Sequence, residues 1–155
     1  MKKHLLIISC SERKNKSREL LPAIERYIGA WYGVINKLKR ENKFPSNIDV
    51  VIISAKYGFL RSDDMTEYYD LKMNKRRARE LNNNIIKEFK KLFEHEHYES
   101  IFINLGKDYL PAIEGLQNLI PNLFFAKGRL GVKKREMRKW ILSIIDPSLE
   151  KQVIF

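Results

Sequence analysis

The chain has 155 residues, enough for one domain around a single core. Hydrophobic residues at 44% and charged residues at 32% exclude a disordered chain, and no run approaches the ~20 apolar residues of a membrane span. The net charge of +11, divided as +4 over residues 1–70 and +7 over 71–155, favours polyanionic partners, nucleic acid first among them.

The opening "MKKHLLIISCSERK" has basic residues and a short apolar run but no small-residue cleavage site, so it reads as a first strand rather than a signal peptide. Its single cysteine excludes an internal disulfide framework and fits a reducing cytoplasm. Four near-continuous apolar runs predict buried strands at 4–10, 48–54, 100–105 and 122–126. Between them, Leu21, Ile24, Ile28, Trp31, Ile35 and Leu38 form a helical stripe, which Gly29 weakens so that the alternative is a later helix start. Ala78, Leu81, Ile85, Phe89 and Leu92 form a second stripe behind Asn74 as N-cap. A short helix fits 108–118. A last one over 131–145 buries Val132, Met137, Trp140, Ile141 and Ile144.

Strand and helix alternate throughout. The expected fold is therefore a single α/β domain over 1–155: a three-layer sandwich with a four-stranded, mainly parallel sheet, Rossmann-like or flavodoxin-like. Ligands of such sheets bind beyond the carboxyl ends of the strands. That rule selects Cys10-Ser11, Ser54-Ala55-Lys56-Tyr57-Gly58, Asn104-Leu105-Gly106-Lys107 and Lys127-Gly128-Arg129.

Each loop has a plain and a functional reading. Cys10 is either a small core residue or a thiolate favoured by Arg13 and Lys14. In 54–60, Ser54 and Gly58 let backbone approach a ligand, and Lys56 neutralises an anion. The long stretch 58–73, read as irregular, holds Tyr68, Tyr69 and Asp70. A phenol there can stack on a base, and a carboxylate can act as acid or base or hold a sugar hydroxyl. Gly106 before Asp108 and Tyr109 makes an anion seat at a helix start. Residues 127–139 hold seven basic residues and one acid. Lys133, Lys134, Arg135 and Arg138 are either a solvated face or a phosphate-backbone track. His95 and His97 have no further ligand at metal spacing, and no dinucleotide, Walker or nucleophile-elbow motif occurs, so neither metal nor cofactor is expected.

Taken in order, "SCSERK", "PAIERYIGAWY", "SAKYGFL", "YYDLKM", "LGKDYL" and "KGRLGVKKREMRKWI" resemble an uncharacterised domain family of bacteria, archaea and phages. In that family a strand ends in Cys-x-x-x-Lys, followed by Tyr-x-Gly, Ser-Ala-Lys-(His/Tyr)-Gly-Leu, Tyr-Asp and Gly-x-x-Tyr. The first motif is also similar to the core of archaeosine synthase, which acts on a cyano-deazaguanine base in transfer RNA. Cys10 and Lys14 keep its spacing, while Ser9, Asn15 and Lys16 replace its prolines and tyrosine, with no histidine close behind.

The resemblance implies a nucleobase or nucleotide pocket, with transferase or hydrolase chemistry at the base or glycosidic position, acting on a free nucleotide or within tRNA or DNA. Cys10, Lys56 and Asp70 are then the catalytic candidates. Ser11, Lys14, Ser54, Tyr57, Gly58, Tyr69, Gly106, Tyr109, Gly128 and Arg129 bind substrate, and the basic last helix holds a polynucleotide. The alternatives are a non-catalytic DNA- or RNA-binding module and a small-nucleotide sensor.

Overall fold

The computed structural model describes residues 1–146. In chain order they form β1 (Lys3–Ser9), β2 (Leu21–Pro22), α1 (Ala23–Arg26), α2 (Ala30–Arg40), β3 (Ile48–Ser54), β4 (Gly58–Arg61), β5 (Met65–Thr66), α3 (Lys75–His95) and β6 (Tyr98–Asn104). Two 3₁₀ turns follow, Lys107–Ile113 and Leu116–Asn118, then β7 (Leu123–Phe125) and α4 (Leu130–Ile145).

The fold is α/β, built on a five-stranded sheet of order β4-β3-β1-β6-β7. The four runs read as strands all form, and they pair in parallel. Leu5, Leu6, Ile7 and Ile8 of β1 are wholly buried, as a strand flanked on both edges and covered on both faces requires.

The fifth strand corrects the four-stranded expectation. "GFLR", read as the start of a long loop, is β4, antiparallel to β3 at the sheet edge. Gly58 pairs with Ser54 across a three-residue turn and adopts φ +74°. A three-residue hairpin of this type needs a left-handed residue in that position, and glycine reaches it without strain. Gly58 is thus explained by the turn and is buried against Leu81 and Ile85 of α3, not held open for a ligand.

The first helical stripe is corrected in part: α2 starts directly after Gly29, as a later start required, and the residues before it do not continue that helix. Tyr27 is extended (φ −94°, ψ 142°) and separates α1 from α2. The break turns Ile28 outward to 40% exposure and brings Ala23, Arg26 and Tyr27 inward instead. The second stripe forms as expected, and Asn74 caps it, its Oδ1 accepting from the Arg77 amide at 2.8 Å. Residues 108–118 wind as 3₁₀ turns containing Pro111, whose missing N–H and ring do not suit an α-helix interior. In α4, Met137, Trp140 and Ile141 are buried, while Val132 and Ile144 are half-buried.

Different helices cover different sheet residues. Trp140 of α4 meets His4 and Phe102, and α2 packs beside α4. Phe89 and Phe93 of α3 meet Phe59 and Tyr98. No helix among the described residues is long and apolar enough to cross a membrane.

Candidate functional site

Strand order places the site. From β1 the chain crosses to β3 on one side, then returns to β6 on the other. Connections that diverge in this way leave a crevice beyond the carboxyl ends of the two central strands. Cys10 follows β1 there, its amide continuing the ladder to the Ile53 carbonyl at 2.9 Å. Tyr109, on the 3₁₀ turn after β6, lies against it. The phenol donates to the Cys10 carbonyl (3.2 Å), which leaves its oxygen free to accept the thiol proton (Sγ to Oη 3.1 Å). Cys10 is a free thiol, 6% exposed. Neither a histidine nor a carboxylate hydrogen-bonds to it among the described residues, so it has no built-in general base.

Beside the thiol three hydroxyls close a ring. Tyr27 donates to Ser54 Oγ at 3.2 Å, Ser54 and Tyr69 are 2.9 Å apart, and Tyr69 and Tyr27 are 2.8 Å apart. Within the ring each hydroxyl then donates once and accepts once, which is how a dry polar cluster avoids an unpaired group. The Lys56 and Tyr57 amides also donate to Ser54 Oγ, at 3.2 and 3.0 Å, fixing the hairpin to the cluster. Tyr32 donates to the Ser9 carbonyl at 2.8 Å. Burial disfavours the phenolate in every case: it pushes Tyr27 to about 12 and holds Tyr32, Tyr69 and Tyr109 well above their ordinary value. At neutral pH the phenols are fixed donors, not bases.

Two ammonium groups face the ring of Tyr69. Lys14 Nζ lies 4.6 Å from its centroid, and Lys56 Nζ lies 5.9 Å from it and 5.3 Å from that of Tyr57. Lys14 is 8% exposed and donates only to the Glu12 carbonyl, at 3.2 Å, with no carboxylate partner among the described residues. Lys56 is exposed and has a loose contact with Glu67 at 3.7 Å. A buried cation without a counter-charge is costly, and an anion entering the crevice relieves that cost.

Local pairing sets these positions. Residues 13–15 run antiparallel to 26–28, with Lys14 opposite Tyr27. Arg26, wholly buried, fastens this arm. Its guanidinium donates to the carbonyls of Asn15 (2.6 Å), Ser17 (3.0 Å), Glu19 (2.7 Å) and Thr66 (2.8 Å), and to Thr66 Oγ1 (3.3 Å). Arg77 does similar work from α3, donating to the Ala55 and Lys56 carbonyls at 2.8 and 3.2 Å. An ion pair between Lys72 and Glu12 (3.0 Å) joins the segment before α3 to the loop after β1.

Of the residues selected from sequence, Cys10, Lys14, Ser54, Lys56, Tyr57, Tyr69 and Tyr109 come together. Ser11 is half-buried and turns its hydroxyl to the Arg13 carbonyl (2.6 Å). Asp70 is exposed and makes no hydrogen bond or ion pair among the described residues. Gly106 precedes the 3₁₀ turn in ordinary extended geometry. Gly128, at φ +99°, and Arg129 are exposed at the start of α4. Lys133 reaches the end of β6, donating to the Leu105 carbonyl at 3.1 Å, while Lys134 and Arg135 are exposed and Arg138 is half-buried. The sequence reading missed Arg26, Tyr27, Tyr32 and Arg77. An arginine beside a tyrosine in "AIERYIGAWY", three residues after a buried alanine, was the available signal.

The fold and this cluster define an α/β domain with a thiol, five phenols and two lysines at the carboxyl edge of its sheet. The chain belongs to the Family of unknown function (DUF6884), whose sequence profile matches residues 5–137, a span that includes the whole cluster. No curated protein matches the chain.

Proposed function

We propose that the crevice binds a nucleotide or nucleobase-containing substrate, and that the protein is a cytoplasmic transferase or hydrolase acting on the base. The same reading takes the fold as a three-layer, Rossmann-like sandwich of flavodoxin-like strand order. One observation carries the proposal: a buried lysine without a carboxylate partner among the described residues and a second lysine face one phenol ring at the divergence point of the sheet. Lys14 and Lys56 receive the anionic group, Tyr57 offers a ring face, and its hydroxyl, which accepts from the Glu67 amide at 2.9 Å, has its own proton to donate to an acceptor on the base.

The missing base at Cys10 selects a type of reaction. A thiol with no partner to take its proton suits addition across a C=N or C≡N bond. Sγ bonds the carbon, one carbon–nitrogen π bond breaks, and the thiol proton passes through Tyr109 Oη to the nitrogen. The substrate itself then accepts the proton, and a neutral phenol relays it. A second reading, a non-catalytic nucleic-acid-binding module, is favoured by the burial of Cys10.

Nucleoside monophosphates are expected to bind and to slow alkylation of Cys10. Lys14→Met is expected to weaken that binding about tenfold to a hundredfold, as removal of a charge-assisted hydrogen bond implies. Cys10→Ser is expected to retain binding and to form no covalent adduct. Calorimetric titration and thiol labelling check this, with a thermal melt to establish that each variant is folded. Absence of binding to the wild type, or undiminished binding by folded Lys14→Met, would sink the nucleotide reading. Undiminished turnover in Cys10→Ser would sink the role of the thiol.

A further inference from the structure

Next to the crevice lies a hollow of about 480 Å³ lined by Lys75, Lys107, Leu110, Pro111 and Phe125, with Glu114 among its walls. We propose that it holds a nucleotide flanking the target within a single-stranded polynucleotide, a step that rests on the nucleotide reading above. The partner is then a polymer rather than a free nucleotide.

Three observations support this. First, the hollow shares an element with the crevice: Lys107 and Leu110 stand on the same 3₁₀ turn as Tyr109, which covers Cys10. A chain with one base over Cys10 passes its neighbour across this turn. Second, its surfaces match the two parts of a nucleotide. Leu110 is an exposed apolar side chain and Phe125 is half-buried, so both offer contact to a base. Lys75 and Lys107 are exposed and enter no ion pair among the described residues, leaving both for phosphate. Apolar and aromatic platforms beside free cations are how single strands are held without regard to sequence, whereas a duplex hides its base faces.

Third, the charge is placed against the helix dipoles. Lys72, Lys75, Arg76, Arg77 and Arg79 crowd the start of α3, whose first turn has no acidic residue. The start of α4, with Arg129 at its N-cap and Lys133 and Lys134 beyond, has none either. Cations at a helix N-terminus oppose the dipole, and a bound polyanion reverses that penalty. Phe125 also lines the next hollow, where Lys127 stands with Glu136 among apolar walls, so the apolar surface continues towards α4 while the charge there is balanced. Within this hollow Glu114 is the opposing charge, against Lys75 and Lys107; Asp108 stands on the same 3₁₀ turn and Glu136 lines the adjoining hollow.

The test uses the full chain, a labelled oligonucleotide of about a dozen residues in RNA and DNA forms, the corresponding duplexes, and a nucleoside monophosphate. Fluorescence anisotropy is read across a salt series for the wild type and the Lys75→Gln/Lys107→Gln double variant. Both positions are exposed, and neutralising Lys75 relieves the dipole conflict, so the variant is expected to fold. Single strands are expected to bind more tightly than duplexes or the monophosphate. In the double variant single-strand affinity should fall about tenfold or more, and the salt slope should shrink by roughly 1.4, about 0.7 for each phosphate that is no longer neutralised. Monophosphate binding should be unchanged. Equal single-strand affinity and slope in the two proteins, or a preference for duplex or monophosphate, overturns the proposal while the nucleotide reading stands. Loss of monophosphate binding in the wild type removes the nucleotide reading itself.

Discussion

Arg26→Met is expected to lower stability by roughly 3 kcal/mol or more and to lose nucleotide binding at the same time. All five N–H donors of Arg26 are engaged, four of them on main-chain carbonyls of segments that otherwise make little regular structure. Methionine retains most of the side-chain volume and removes every donor. The Thr66 carbonyl then faces an apolar group in the interior, while those of Asn15, Ser17 and Glu19 recover some hydration because their residues lie nearer the surface. For a chain of this size the melting temperature should drop by roughly 10 °C. The functional effect follows from position. Lys14 precedes Asn15, so a loosened arm moves its ammonium away from Tyr69. Arg26→Lys, with a charge but fewer donors, should fall between. A melt within about 3 °C of the wild type would mean that β2–β5 pairing and the Lys14–Tyr27 bridge hold the arm by themselves.

The contrast between Arg26 and the strands marks how far the sequence could be read. A parallel strand buried on both faces is a run of apolar residues, and "IDVVIIS" forms its strand over the residues read from it. The carboxyl-end rule then gathered most of the cluster, because it needs only the strand ends. What escaped depends on tertiary geometry. β4 is four residues in an antiparallel edge, signalled by one glycine whose left-handed φ is not written in its letter. β2 and β5 are two residues each, too short for any period. The stripe from Leu21 to Leu38 carries Gly29 as the sign of a later start, and α2 does begin directly after it, but the extended residue at Tyr27, which rotates everything before it, has no such sign. That rotation buries Tyr27 and Arg26 and exposes Ile28. Arg26 is the informative miss. A charged residue reads as surface until its donors are counted against carbonyls that only the folded arm brings near.

The phenol cluster predicts alkaline unfolding between pH 10 and about 12. Burial raises Tyr27 to about 12 and holds Tyr32, Tyr69 and Tyr109 above the ordinary value near 10. In the unfolded chain these phenols lose protons near pH 10, while the native state keeps them. The unfolded state therefore binds fewer protons, and stability falls as pH rises. Each contribution is complete below pH 10 and is lost as pH climbs through the folded value. Each phenol removes ~1.4 kcal/mol per pH unit in this window, so four together remove roughly 6 kcal/mol over one pH unit, comparable to the whole stability of a small domain. Ionisation and unfolding should therefore coincide: phenolate absorbance and far-ultraviolet circular dichroism, titrated together, are expected to change in one cooperative step. Phenolate formation near pH 10 with the fold intact, in excess of what the tyrosines outside the cluster supply, would mean that water reaches the cluster, and the ring of Tyr27, Ser54 and Tyr69 would not be the dry donor set described. The same shift bears on binding. Phenols that stay protonated far above neutral pH present hydrogen atoms to a ligand throughout the physiological range. Any pH dependence of nucleotide affinity below pH 9 must therefore come from the ligand or from groups other than these tyrosines.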